Sequence, residues 1–192
     1  MLARERQPSQ AQQRGGGRTE PRATGRGEGP LDPYRPSMYF YCGNEHAVVD
    51  AALRVLDERV LTPVRRAAGA EGAGTEEVLA VFLDAARDVW QDQGQLLVAA
   101  CEFIGEDDET RDDWRAASVA LGDALAPVVL RDRERGALPA AGDAHALVVA
   151  LWWTVERTYY MAYSAGPVPP EVTGATAMLG LLTRRTLGLA DA

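Results

Sequence analysis

The chain has 192 residues, 46% of them hydrophobic, with a formal net charge of −8 and a pI near 4.8. That is apolar material for one ordinary domain with room for a second small one, and the acidity excludes a general nucleic-acid binder, which needs clustered cations to meet phosphates. Two cysteines, Cys42 and Cys101, are too few for a disulfide framework and form no CxxC metal knuckle. No apolar run reaches the about 18 residues of a membrane span, and the start of the sequence has no hydrophobic signal-peptide core. The expectation is a soluble cytoplasmic protein with no membrane partner, metal or cofactor.

The average charge hides an asymmetry. Residues 1–36 hold seven arginines against four acids, a net of +3, so the remainder carries −11. No lysine occurs; all 20 basic residues are arginine, which fits a GC-rich coding bias better than a functional choice. Residues 1–34 are dominated by Gln, Arg, Gly and Pro, with Leu2 and Leu31 the only large aliphatic residues. Such a segment cannot bury enough apolar surface to offset its chain entropy, so it reads as a disordered tail. An Arg/Gly tract also binds RNA loosely in some proteins, but no aromatic is interleaved here before Tyr34.

From Ser37 onward the pattern is helical. Asn44 is a plausible N-cap for a helix to about 62, with Val48, Ala52, Val55, Leu56 and Val60 on one face, stopped by Pro63 and the Gly-rich stretch 68–74. Thr75 then caps a second helix carrying Val78, Leu79, Phe82, Ala86, Val89 and Trp90, broken at Gly94 and followed by a short apolar helix over 95–104. The acidic run 106–109 precedes a long helix over about 110–135, placing negative charge at the positive end of the dipole. Arg131, Arg133, Arg135 and Gly136 make its cation-rich last turn and C-cap, and Pro127 inside it should kink or break it. Further helices span about 143–164 and about 170–187, the first stopped by Gly166 and Pro167, the second opened by Pro170. No strand-period alternation of useful length occurs. The fold class is all-α.

Two stretches resemble the TetR family, in the subgroup of the ethionamide-resistance repressor. The first is Arg35-Pro36-Ser37-Met38-Tyr39-Phe40-Tyr41 with Glu45-His46-Ala47-Val48, similar to the segment that closes the family's recognition helix and opens its linking helix. The second is Arg133-Glu134-Arg135-Gly136-Ala137-Leu138-Pro139, leading through His145 to Glu156-Arg157-Thr158 and closing at Ala165-Gly166-Pro167. The spacing from Trp114 to Gly136 also matches, and the resemblance covers residues 35–189. It implies a C-terminal ligand-binding and dimerisation bundle over 75–189, and a remnant of the recognition and linking helices over 35–62. It implies a homodimer sensing a small lipophilic effector, and a role as regulator, a repressor in family terms, rather than enzyme.

The resemblance places a ligand tunnel at Phe82, Ala86, Trp90, Trp114, Ser118, Leu121, Trp152, Val155, Glu156, Tyr159 and Leu182, and DNA contacts at Ser37, Tyr39 and Tyr41. Taken alone, Trp152, Val155, Glu156 and Tyr159 share one helical face, and an aromatic stripe of this kind reads as core. Amides stand in the subgroup at the positions of Trp152 and Val155, so the pocket is expected to be narrower, more lipophilic or filled. Glu156 is either a solvated helix charge or the acidic group of the tunnel.

The departures lie at the N-terminus. The family places two helices before the recognition helix, where this chain has the Arg/Gly tail. A recognition helix needs those helices to bury its apolar side. Cys42 replaces an aromatic, and Glu45 stands where the family has a phosphate-contacting lysine, opposing phosphate. DNA binding by this chain is expected to be weak or absent. The alternative function is a dimeric lipophile-binding protein that never touches DNA, or a decoy partner of an intact regulator. His46 and His145 each lie in a first helical turn with no metal-spaced partner, and no nucleophile elbow, phosphate loop or HExxH motif occurs.

Overall fold

The structure, a computed structural model, describes residues 45–104, 108–164 and 171–189. Every element among them is helical. Helix α1 (Glu45–Leu56) passes through a π-turn (Asp57–Leu61) into α2 (Thr62–Ala68). There follow α3 (Thr75–Phe103), α4 (Asp108–Glu134), α5 (Ala144–Ser164) and α6 (Glu171–Leu187). The expected tail at 1–34 and the segment with Ser37, Tyr39 and Tyr41 lie outside the described residues.

The amphipathic faces set the packing. Val48, Ala52, Leu56 and Val60 bury the inner face of α1 and the π-turn, while Val78, Leu79, Phe82, Ala86, Val89 and Trp90 bury that of α3. α4 lies along α5 and α1 lies along α3, so these helices enclose one core.

Two expected breaks, at Pro63 and Pro127, are not breaks, and the one expected at Gly94 is a kink. Pro63 was expected to stop the first helix, because an interior proline removes a bond and crowds the carbonyl four residues earlier. Instead the wider π-turn comes first: the Thr62 N–H donates to the Asp57 carbonyl, five residues back, and Pro63 sits in the first turn of α2, where its missing N–H is not needed. Gly94 was expected to end the second helix. The helix is interrupted beside it: Gln93 leaves helical φ/ψ (φ −124°, ψ 18°), and the 29 residues of α3 are two helices joined across that kink. Pro127 neither ends α4 nor interrupts its helical run to Glu134.

Thr75 was expected to cap α3, but Gly74 occupies the cap and Thr75 is the first helical residue. The cap acceptor comes from α4: the buried Asp132 Oδ2 accepts the Thr75 N–H at 2.7 Å, and Arg135 pairs with the other oxygen. Burial works against this carboxylate, yet the Thr75 N–H and Arg135 outweigh it and hold its pKa below the ordinary value. Gly136 takes φ +73° beyond the end of α4, where an L side chain is strained, and the Asp132 carbonyl accepts from Ala137 (2.8 Å) and Leu138 (3.3 Å). Asp143 caps α5 through the Ala146 N–H at 3.0 Å.

Candidate ligand-binding site

Three helices converge their aromatics inside the bundle. Phe82 and Trp90 come from α3, Trp114 from α4, and Trp152, Tyr159 and Tyr163 from α5, all buried. Phe82 stacks on Trp152 with centroids 6.3 Å apart, and Trp90 stacks on Tyr159 at 6.0 Å and leans on Tyr163 at 5.9 Å. These separations are those of favourable offset and tilted pairs.

The rings leave little room. The interior cavity measures about 20 Å³ and is walled by Leu56, Val60, Phe82, Ala86, Val89, Trp90, Leu97, Trp114, Trp152, Val155 and Glu156. That is space for about one water. The space is narrow in this conformation, and bulky Trp152 and apolar Val155 stand among its walls. A wider cleft of about 440 Å³ opens from the surface and is lined by Cys101, Ile104, Trp114, Trp153, Glu156 and Arg157. Trp114 and Glu156 line both spaces.

Two features of the wall are energetically incomplete. The indole N–H groups of Trp114 and Trp152 find no acceptor among the described residues, although the side chains are only 1% and 4% exposed. A buried donor left unpaired costs about 1–3 kcal/mol. Glu156 is buried, which removes its expected alternative as a solvated helix charge. Its Oε1 accepts the Cys101 thiol at 3.1 Å. Burial pushes the Glu156 carboxyl above its ordinary pKa, with the Cys101 thiol and Arg157 pulling the other way without offsetting it. Burial and the neighbouring Glu156 charge in turn push the Cys101 thiol up, so it stays protonated and serves as a donor.

A scan against known families places the EthR C-terminal domain ("Transcriptional regulator EthR, C-terminal domain") on residues 79–182, more than half of the chain. The chain belongs to this family of TetR-type transcriptional regulators. No curated protein matches it. The matched span runs from α3 to α6 and contains every residue at which the resemblance placed the EthR-type ligand tunnel.

Of those residues, Phe82, Ala86, Trp90, Trp114, Trp152, Val155 and Glu156 wall the cavity. Ser118, Leu121 and Tyr159 are buried but lie outside that wall: the Ser118 hydroxyl donates to the Arg115 carbonyl at 2.7 Å, and the Tyr159 hydroxyl pairs with Thr176 at 2.9 Å. Leu182 is corrected: it is 47% exposed and sits on the outer side of α6. The sequence reading missed Leu56 and Val60, because it assigned the first helix to DNA linkage alone. It also missed Tyr163, which extends the Trp152–Val155–Glu156–Tyr159 face by one further turn. His46 faces Thr110 (3.3 Å) and His145 faces Asp123 (3.2 Å), and no group of three metal ligands exists among the described residues.

The Glu156 environment gives a pH-dependent expectation. Its folded pKa lies above the unfolded one, so stability is full below the unfolded value of about 4.3 and is lost as pH rises through the folded pKa. Glu156→Gln removes that charge while keeping an acceptor for Cys101. The melting temperature of the variant relative to wild type should therefore climb between about pH 4 and about pH 8. A pH-independent difference would contradict the buried-carboxylate assignment.

Proposed function

We propose that this chain is the ligand-sensing, dimer-forming half of a TetR-type repressor, acting in the cytoplasm as a binding protein rather than an enzyme. The effector in this proposal is a small lipophile. One observation carries it: Leu56 and Val60, at the junction of α1 and the π-turn, wall the same cavity as the aromatics of α3, α4 and α5. A molecule that swells this interior presses directly on the helix that the resemblance assigns as the link to DNA. That supplies a differential contact between ligand-free and ligand-bound states, which coupling requires.

The proposed homodimer pairs α5 and α6 with their mates across a two-fold axis. Met161 on α5 is 60% exposed, and Met178 and Leu182 on α6 are 54% and 47% exposed. Met178, Leu182 and Thr186 recur every four residues and so share one face of α6, while Ala150 and Met161 lie eleven residues apart on one face of α5. These are large apolar groups for a surface, and covering them favours association. Leu151, on the same helix, is buried within the single chain and is no part of this exposed face.

In the proposed division of the chain, residues 1–34 form the Arg/Gly tail, 35–62 hold the recognition and linking remnant, and 75–189 form the sensing and dimerising body. The tail's composition supports incomplete DNA reading by these residues, and the same observation favours the second function, a dimeric lipophile binder or a decoy for an intact regulator. An electrophoretic mobility shift with the chain's own promoter region separates the two. The expected result is weak binding that falls steeply with salt, as tail arginines alone produce. Nanomolar, sequence-specific binding at physiological salt would overturn the incompleteness and restore the full regulator.

A further inference from the structure

Two helix irregularities are tied to each other. The π-turn Asp57–Leu61 separates α1 from α2, and α3 leaves helical φ/ψ at Gln93. Arg59, in the middle of the π-turn, donates to the carboxylate of Asp92, the residue before the kink, at 2.8 Å. Both irregularities also flank the interior cavity. Leu56 and Val60 wall it from the side of the π-turn, while Val89 and Trp90 before the kink and Leu97 after it wall it from α3.

Side-chain phase explains why the π-turn persists. Val48, Ala52, Leu56, Val60 and Val64 recur every four residues, and none is more than 5% exposed. In a straight α-helix such a repeat drifts by about 40° per step, which would carry Val48 and Val64 to different faces. A wider turn takes up part of that drift. The backbone there is thinly bonded, because the Thr62 N–H reaches back five residues to the Asp57 carbonyl and Pro63 has no N–H to donate. Short segments of this kind absorb the dihedral changes of a hinge while the helices beside them stay rigid.

We infer that the π-turn and the Gln93 kink are two halves of one hinge, coupled through Arg59 and Asp92. Movement of α1 about the π-turn is geared by this ion pair to bending of α3 at its kink. The side chains of the pair are 37% and 62% exposed, so the contact adds little to global stability. It acts by keeping the two irregularities in step. This goes beyond the sensing function proposed above and holds for the ligand-free chain, so it stands or falls separately from that function.

Backbone hydrogen exchange of the full chain tests the coupling in wild type, Arg59→Gln, Asp92→Asn and the double variant. Each single change should speed exchange at the irregularity on the other helix by about two- to fivefold, the worth of an exposed ion pair. Arg59→Gln is read at residues 93–97 and Asp92→Asn at residues 57–62. The double variant should exchange no faster than the faster single variant, since one contact is lost in all three. High salt, which screens an exposed pair, should reproduce both accelerations in wild type and add none to the double variant. Acceleration confined to the substituted helix, or additive effects in the double variant, overturns the coupling. Unchanged protection of both segments of wild type in high salt overturns it too, even if a variant does not fold.

Discussion

Truncating Trp114 or Trp152 to alanine is expected to destabilise the fold by about 3–5 kcal/mol, the range for aromatic-to-alanine changes in packed cores. Both indoles are buried, and Trp152 is stacked on Phe82. The surrounding cavity is already down to about 20 Å³, so the space vacated is new void rather than an extension of an open tunnel. Helices α3, α4 and α5 are tied by their other contacts and cannot close over it. One effect runs the other way. Each truncation also removes an unpartnered N–H, whose burial costs about 1–3 kcal/mol, which moves the net loss toward the lower part of the range. Urea unfolding checks this: the midpoint should fall with the m-value unchanged. A loss under about 1 kcal/mol would mean that the rings line open space and contribute little packing.

Gly94→Ala should also be strongly destabilising, although it replaces glycine inside a helix. Alanine ordinarily gains about 1 kcal/mol there. Here the added methyl would stand 2.6 Å from Tyr163 Cδ1 and 3.1 Å from Cε1, against a ring that is itself buried beside Trp90 and Tyr159. The ring cannot retreat without disturbing those partners, and overpacking of this kind costs about 1–3 kcal/mol or more. The clash therefore exceeds the propensity gain. The Gly94→Ala, Tyr163→Ala double variant provides the check: its loss should be clearly smaller than the sum of the single losses, because the second change removes the atom struck by the first. Simple additivity would show that Gly94 acts through the Gln93 kink instead.

Much of the fold was legible because periodicity and punctuation are local signals. The buried face of α3, from Val78 to Trp90, and the helix stop at Gly136 both follow from residues within one or two turns. The misreadings share a different cause: each was decided by a partner far along the chain or by a change in helix type. Gly94 reads as a breaker, and α3 does kink beside it at Gln93, but its lack of a side chain also accommodates Tyr163, 69 residues later. Thr75 looks like a cap, yet its amide is capped by Asp132, 57 residues away. Pro63 looks like a stop because no local pattern announces a π-turn. The site divided in the same way. The shared face of Trp152, Val155, Glu156 and Tyr159 could be read directly, whereas the Cys101–Glu156 bond spans 55 residues and joins two residue types that rarely signal each other. Leu182 was placed in the tunnel by resemblance, and its own helical register with Met178 would have put it on the outer face.

Filling the aromatic interior is expected to be felt along α1. Backbone hydrogen exchange of the full chain tests it most directly, measured with and without a saturating hydrophobic ligand that raises the melting temperature. Altered protection is expected at the π-turn Asp57–Leu61 and along α1, Glu45–Leu56, because Leu56 and Val60 wall the cavity. Protection changes confined to α3, α4 and α5, with the π-turn and α1 unaltered, would contradict it.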